Sequence, residues 1–300
     1  MHELLTGILN GSHRSLARAI SLVENKAPGY IEILSHSHSL ADSAVIGITG
    51  PPGAGKSTIA DALIGEMTAA EKKVGVLCVD PSSPFNFGAL LGDRIRMNKW
   101  YNHANVFIRS LASRGSLGGL HPSIIEISDV MKLFSFDYII IETVGVGQSE
   151  VEIAGLADTT VIVLVPEAGD EVQTMKAGLM EIGDIFVVNK ADRPGADTFV
   201  RNLQRILYPA RHISSREVPV VKTVAPENVG IDVLFGKIKL HKLFNKSPDK
   251  HYWLLTEKAY HLLQAKRMSN ISKENLFKKI KAETENQNKF NLYRFIEEFE

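Results

Sequence analysis

The run Gly50-Pro51-Pro52-Gly53-Ala54-Gly55-Lys56-Ser57-Thr58 leaves few folds open to this chain. Two glycines five apart with Lys-Ser behind the second have the spacing of a phosphate-binding loop. An apolar β-rich run, 45–49, stands ahead of it, and the helical pattern Ile59-Ala60-Asp61-Ala62-Leu63-Ile64 follows. Strand, tight loop and helix are the setting such a loop needs. The glycines let the backbone curl so that successive N–H groups point inward at phosphate oxygens. The N-terminus of the next helix adds its partial positive charge. On this reading residues Gly50, Pro51, Pro52, Gly53, Ala54 and Gly55 wrap a nucleotide's phosphates. Lys56 reaches the β- and γ-phosphates, the Ser57 hydroxyl ligates Mg²⁺, and Thr58 contacts the α-phosphate.

Around the loop, short β-rich runs alternate with longer helical patterns. The candidate strands are 45–49, 74–80, 106–110, 138–143, 160–165, 185–189 and 218–224. Several are nearly continuous Val/Ile/Leu runs, as strands covered on both faces are. Strands separated by helices argue for βαβ units. The expected fold class is α/β, a P-loop NTPase with a mainly parallel central sheet flanked by helices. Residues 1–40 read as an N-terminal helical extension, with Leu16, Ala19, Ile20 and Val23 at helical spacing and Pro28-Gly29 ending that run. His36 and His38 lack further ligands nearby and read as a polar linker. The domain itself is expected over 41–245. In 246–300 the β-branched runs give way to Lys, Glu, Asn and Leu. Leu254-Leu255, Ala259 and Leu262-Leu263 suggest one amphipathic helix, and Phe290, Leu292, Phe295 and Phe299 another. The pattern leaves two roles open, a helix packed on its own domain or a dimerisation arm.

Composition narrows the partners. The 300 residues carry 34 basic and 34 acidic side chains, so a zero balance gives no general electrostatic case for nucleic acid or an anionic membrane. The one cysteine, Cys78, excludes an intrachain disulfide and fits a reducing, cytoplasmic setting; a buried thiol is expected. No signal peptide is evident, and no apolar stretch approaches the ~20 residues that span a bilayer.

A magnesium-bound triphosphate needs carboxylates beside the serine. In open α/β sheets ligands bind at the C-terminal ends of the strands. Asp80 ends the second strand run, Asp93 follows in Gly92-Asp93-Arg94, and Glu142 ends 138–142. Glu142-Thr143-Val144-Gly145 takes the place of the Asp-x-x-Gly of switch GTPases, where the glycine N–H bonds the γ-phosphate. Gln148 is a candidate for orienting water. Arg94, Arg96, Arg109 and Arg114 are candidates for a transition-state arginine or for ordinary ion pairing.

Asn189-Lys190-Ala191-Asp192 follows the strand run 185–188. There Asp192 can accept the N1–H and exocyclic N2–H of guanine, an arrangement adenine does not offer. Asn189 braces the phosphate loop and Lys190 lies against the ring. Thr223, Val224 and Ala225 are placed to offer backbone N–H groups to guanine O6. The expected ligands are GTP and GDP with Mg²⁺.

Longer blocks carry a resemblance. Leu16-Ala17-Arg18-Ala19-Ile20, Val79-Asp80-Pro81-Ser82-Ser83-Pro84, Gly88-Ala89-Leu90-Leu91-Gly92-Asp93-Arg94-Ile95-Arg96-Met97 and Phe107-Ile108-Arg109-Ser110 belong to them. So do Glu142-Thr143-Val144-Gly145-Val146-Gly147-Gln148-Ser149-Glu150 and 185–192. With these the chain resembles the methylmalonyl-CoA mutase-associated GTPases of MeaB or ArgK type, in the SIMIBI class. The resemblance implies a homodimeric, Mg²⁺-dependent GTPase that serves an adenosylcobalamin-dependent acyl-CoA mutase, methylmalonyl-CoA mutase first, in cofactor loading and protection. It also implies metal and switch roles for Asp80, Asp93 and Glu142, and a nucleotide-sensing role for the segment after Gly145. Asn86-Phe87 and Pro166-Glu167-Ala168-Gly169-Asp170 depart from the Gly-rich family versions, and the C-terminal segment matches least. Two other readings compete. A nickel-loading metallochaperone GTPase predicts a His-rich tract or a Cys motif, which the sequence lacks. A kinase of an amino-acid transport system predicts an acceptor base, for which no residue stands out.

Overall fold

Every one of the seven β-rich runs becomes a strand. In the computed structural model they are β1 (Ala44–Thr49), β2 (Val74–Asp80), β3 (Val106–Ala112), β4 (Tyr138–Glu142), β5 (Thr159–Leu164), β6 (Ile185–Val188) and β7 (Val220–Lys222). The structure describes residues 2–36, 43–80, 97–113, 120–143, 153–167, 180, 182–207 and 218–244. Beyond these it describes 252, 256, 259–260, 262–264, 266–286 and 290–297. All pairings are parallel, in the order β3-β2-β4-β1-β5-β6-β7. β1, β2, β4, β5 and β6 are buried along their whole length, as their unbroken apolar runs require. β7 is shorter than its run. Pro219 has no N–H to give the ladder, and at the other end Val224 N–H turns away to Val229 O.

Helices cover both faces. α1 (His2–Leu9), α2 (His13–Glu24), α3 (Tyr30–Ser35) and α5 (Ile124–Lys132) close one face, where Leu16, Ala19, Ile20 and Val23 meet Ile127, Val130, Ile139 and Ile141. The spacing of those four N-terminal apolar residues is therefore the buried stripe of α2. On the other face lie α4 (Lys56–Ala69) and α7 (Ile231–Phe244), with Ile59, Leu63, Met67, Leu234 and Ile238 against Ile46, Ile48, Val76 and Val187. α6 (Ala196–Leu207) adds Leu203 and Leu207 over β5 and β6. Cys78 is free and buried in β2. No helix among the described residues is long and apolar enough to cross a membrane.

The chain divides into two compact units, Met1–His251 and Tyr252–Glu300. The second contains α8 (Lys273–Asn286) and α9 (Leu292–Glu297). Phe295 is buried there with the Phe290 ring 5.7 Å away, while Tyr260, Leu263, Phe277 and Tyr293 are exposed.

β1 is central, and the chain moves to β2, β3 and β4 on one side of it and to β5, β6 and β7 on the other. That reversal opens a crevice beyond the C-terminal end of β1, where open α/β sheets bind ligands. The phosphate loop leaves β1 at that point.

Candidate functional site

The loop between Thr49 and Lys56 is shaped by glycines that no other residue replaces cheaply. Gly50 has φ 140°, and a Cβ there would overlap the Val163 carbonyl oxygen of β5. Gly55 has φ 92° and would drive a Cβ into the Asn189 amide. Gly50→Ala is expected to cost about 1–3 kcal/mol of stability, the usual size of such backbone strain. A thermal melt beside the parent protein checks it. Gly55 is also the N-cap of α4 and brings no capping side chain, which suits a helix end built to meet an anion. Lys56 is buried; its ammonium donates to Gly50 O at 2.9 Å and Pro51 O at 3.1 Å, arching over the loop.

One carboxylate meets this loop, and a second ends the strand beside it. β4 lies between β1 and β2, and Glu142 is in register with Ile48 on one side and Cys78 on the other. The Ser57 hydroxyl donates to Glu142 Oε1 at 2.6 Å. Asp80 is buried at the C-terminal end of β2. Beside Glu142, the Thr143 hydroxyl donates to Thr49 Oγ1 at 2.9 Å and its N–H to Ile48 O, so the ends of β1 and β4 are stapled together. A hydroxyl and two carboxylates are hard oxygen donors, the chemistry that suits Mg²⁺. Among the described residues no group of three or more His, Cys, Asp or Glu side chains gathers into a protein-only metal cage. A cation arriving with a nucleotide takes its other ligands from phosphate and water.

The Asn189–Asp192 turn meets the same loop from β6. Asn189 is buried; its Nδ2 donates to Ala54 O at 2.9 Å, and its Oδ1 accepts the Thr223 hydroxyl at 3.1 Å and the Ala225 N–H at 3.2 Å. Lys190, with φ 56°, reaches back to donate to Gly53 O at 2.8 Å. Asp192 is exposed, and its carboxylate makes no hydrogen bond or ion pair with the described residues. The N–H groups of Thr223, Val224 and Ala225 go to Val188 O, Val229 O and Asn189 Oδ1. A contact from Ala225 to guanine O6 therefore has to share or replace its bond to Asn189.

Asp93, Gly145, Gln148, Arg94, Arg96 and Arg114 lie outside the described residues. Arg109 is an ion-pairing residue: its Nη2 donates to Glu24 Oε2 at 2.8 Å and Ser21 Oγ at 3.2 Å, fastening β3 to α2. The Arg193 guanidinium, one residue past Asp192, donates to Glu167, and that bond holds the Glu167 carboxyl below its ordinary range. Sequence reading missed Thr49, Thr143 and the Thr223 hydroxyl as parts of the site. Their signal is position: each borders a motif residue at a strand end.

A central strand that ends in a phosphate loop, with an Asn-Lys-x-Asp turn tied to that loop, defines a P-loop guanine-nucleotide-binding protein. The family described as Methylmalonyl Co-A mutase-associated GTPase MeaB matches residues 16–285. The chain belongs to that family and is a GTPase. A provisionally named GTPase of Pyrococcus abyssi is 51% identical over 247 residues, covering 81% of this chain and 76% of that one. The mouse Methylmalonic aciduria type A homolog, a mitochondrial protein, is 35% identical over 235 residues, which is 73% of this chain and 54% of that one. Among solved structures, one described as a LAO/AO transport system kinase superposes with a TM-score of 0.68 at 25% identity, covering 99% of this chain and 95% of that one.

Proposed function

We infer that this GTPase is a Mg²⁺-dependent switch that chaperones an adenosylcobalamin-dependent acyl-CoA mutase, methylmalonyl-CoA mutase first, in loading and protecting its cofactor. The Ser57–Glu142 bond beneath the phosphate loop carries the switch reading, because it joins the loop directly to the strand that runs into the Glu142-x-x-Gly145 segment. The family description and the mouse relative support the client.

In this reading Lys56 gives up its loop carbonyls for the β- and γ-phosphates. Ser57, Asp80 and Glu142 hold the cation, with Asp93. When bound, Mg²⁺ offsets the charge that develops on the phosphates during transfer to water. The Gly145 N–H bonds the γ-phosphate, and Gln148 orients the attacking water. Loss of the γ-phosphate then frees the segment after Gly145, which is how hydrolysis reaches a partner. Asp192 reads the guanine edge, and Asn189 holds its turn against the phosphate loop. A second copy of this chain completes the assembly through the C-terminal unit, where Tyr260, Leu263 and Phe277 are exposed.

The tagged protein, loaded with a non-hydrolysable GTP analogue, is expected to capture a cobalamin-dependent mutase subunit from its own cell extract. A source genome without any cobalamin mutase would remove the client from this reading. The relative described as a transport-system kinase supports a second one. Labelled γ-phosphate separates them, since it goes to inorganic phosphate in a GTPase and to a protein acceptor in a kinase.

A further inference from the structure

The turn that carries Asp192 has a cation close by on either side in the chain, and both are engaged elsewhere. Lys190, two residues before it, gives its ammonium to Gly53 O at 2.8 Å. Arg193, the next residue, gives its guanidinium to Glu167. The exposed Asp192 carboxylate makes no hydrogen bond or ion pair with the described residues. A free guanidinium one residue away would be a ready partner for that carboxylate, since its fork of donors matches two carboxylate oxygens.

The Glu167–Arg193 pair is not what shapes the turn. The Arg193 N–H donates to Lys190 O and the Ala191 N–H to Thr223 O, each at 3.0 Å. Those backbone bonds fix the chain on both sides of Asp192 without any side chain of the pair. Arg193 and Glu167 are 46% and 51% exposed, so their bond adds little to stability. What the pair governs is where the guanidinium goes. Glu167 stands three residues beyond the end of β5, and the turn leaves β6 at the same edge of the sheet, where Leu164 and Val188 are in register. The Arg193 hydrogen bond, with the charges of Arg193 and Lys190 behind it, holds the Glu167 carboxyl below its ordinary range. Glu167 is thus within electrostatic reach of both cations that flank Asp192.

We propose that Glu167 is a positioning residue for nucleotide recognition: it occupies Arg193 and so keeps the Asp192 carboxylate open to the N1–H and N2–H donors of guanine. This rests on the base-reading role given to Asp192 above. With Glu167 removed, the Arg193 guanidinium turns to the neighbouring carboxylate, and guanine has to displace it in order to bind.

Calorimetric titration with GDP distinguishes such a decoy from a simple brace and involves no hydrolysis. Glu167→Ala is expected to weaken GDP roughly two- to fivefold, the range of an exposed ion pair. Arg193→Ala is expected to bind GDP as the parent does. The double variant Glu167→Ala/Arg193→Ala is expected to recover the parental affinity, because no guanidinium is left to compete. The defect of Glu167→Ala, measured against the parent in the same buffer, is also expected to shrink at ~1 M salt, where the screening length falls to ~3 Å. Parental GDP affinity in Glu167→Ala overturns the proposal. Equal weakening in Arg193→Ala and in the double variant overturns it too, since the pair would then be a brace. A different failure shows in Asp192→Asn: if that variant keeps the parental margin for GDP over xanthosine diphosphate, Asp192 does not read the base, and the role of Glu167 falls with that reading.

Discussion

Lys56→Ala is expected to abolish tight GTP binding. The Lys56 ammonium is buried and bonded to the carbonyls of Gly50 and Pro51. Those bonds hold a positive charge at the mouth of the loop, where phosphate oxygens arrive. A charge-assisted bond to phosphate is among the stronger polar contacts, and one such group is worth roughly a hundredfold in affinity, more where water is excluded. Truncation also leaves two loop carbonyls without this donor, so the loop itself loses a brace. Calorimetric titration with GTP, next to a melt that shows the variant folded, measures the effect. An affinity equal to the parent's would remove the phosphate assignment.

The second large effect is expected at Asp192. A carboxylate offers two acceptors side by side, which match the N1–H and N2–H donors of guanine. An asparagine offers one acceptor and one donor, which match the N1–H and the 2-oxo group of xanthine. Asp192→Asn is therefore expected to exchange GTP for xanthosine triphosphate, with a change in selectivity on the order of a thousandfold or more, because each mismatch strands a polar group. The exposed Asp192 carboxylate makes no hydrogen bond or ion pair with the described residues, so the change is expected to leave the fold intact. Competition between the two nucleotides decides it. If the variant still takes GTP over the xanthosine nucleotide by the parental margin, Asp192 does not read the base.

Much of this architecture is legible in the chain. The strands show because their faces are both covered, which forces unbroken runs such as Ile139-Ile140-Ile141. The phosphate loop and the Asn189 turn show because their chemistry needs fixed residues at fixed spacing. Strand order is harder to read. β1 pairs with β4 and β5, and neither adjoins it in sequence. Side-chain braces are hidden for the same reason. Asp61 finds Trp100 thirty-nine residues away, and buried His241 of α7 meets Thr159 Oγ1 at 2.8 Å and Asp184 Oδ1 at 3.0 Å across the starts of β5 and β6. No local pattern announces a partner at that distance. Nor does periodicity say that α2 belongs to the domain core; an apolar stripe names a buried face without naming its neighbour.

Asn189 binds together the phosphate loop, its own turn and the 223–225 segment, and its carbonyl oxygen is filled by two donors from that segment. The Asn189 turn is consequently no cassette that can be exchanged on its own. Removing the Thr223 hydroxyl leaves the Asn189 oxygen only the Ala225 N–H and loosens the amide that holds Ala54, so it would surface as poorer retention of phosphate. Asp192 stands outside this mesh. Nucleotide preference in such a scaffold is free to drift at its rim and locked at its hub.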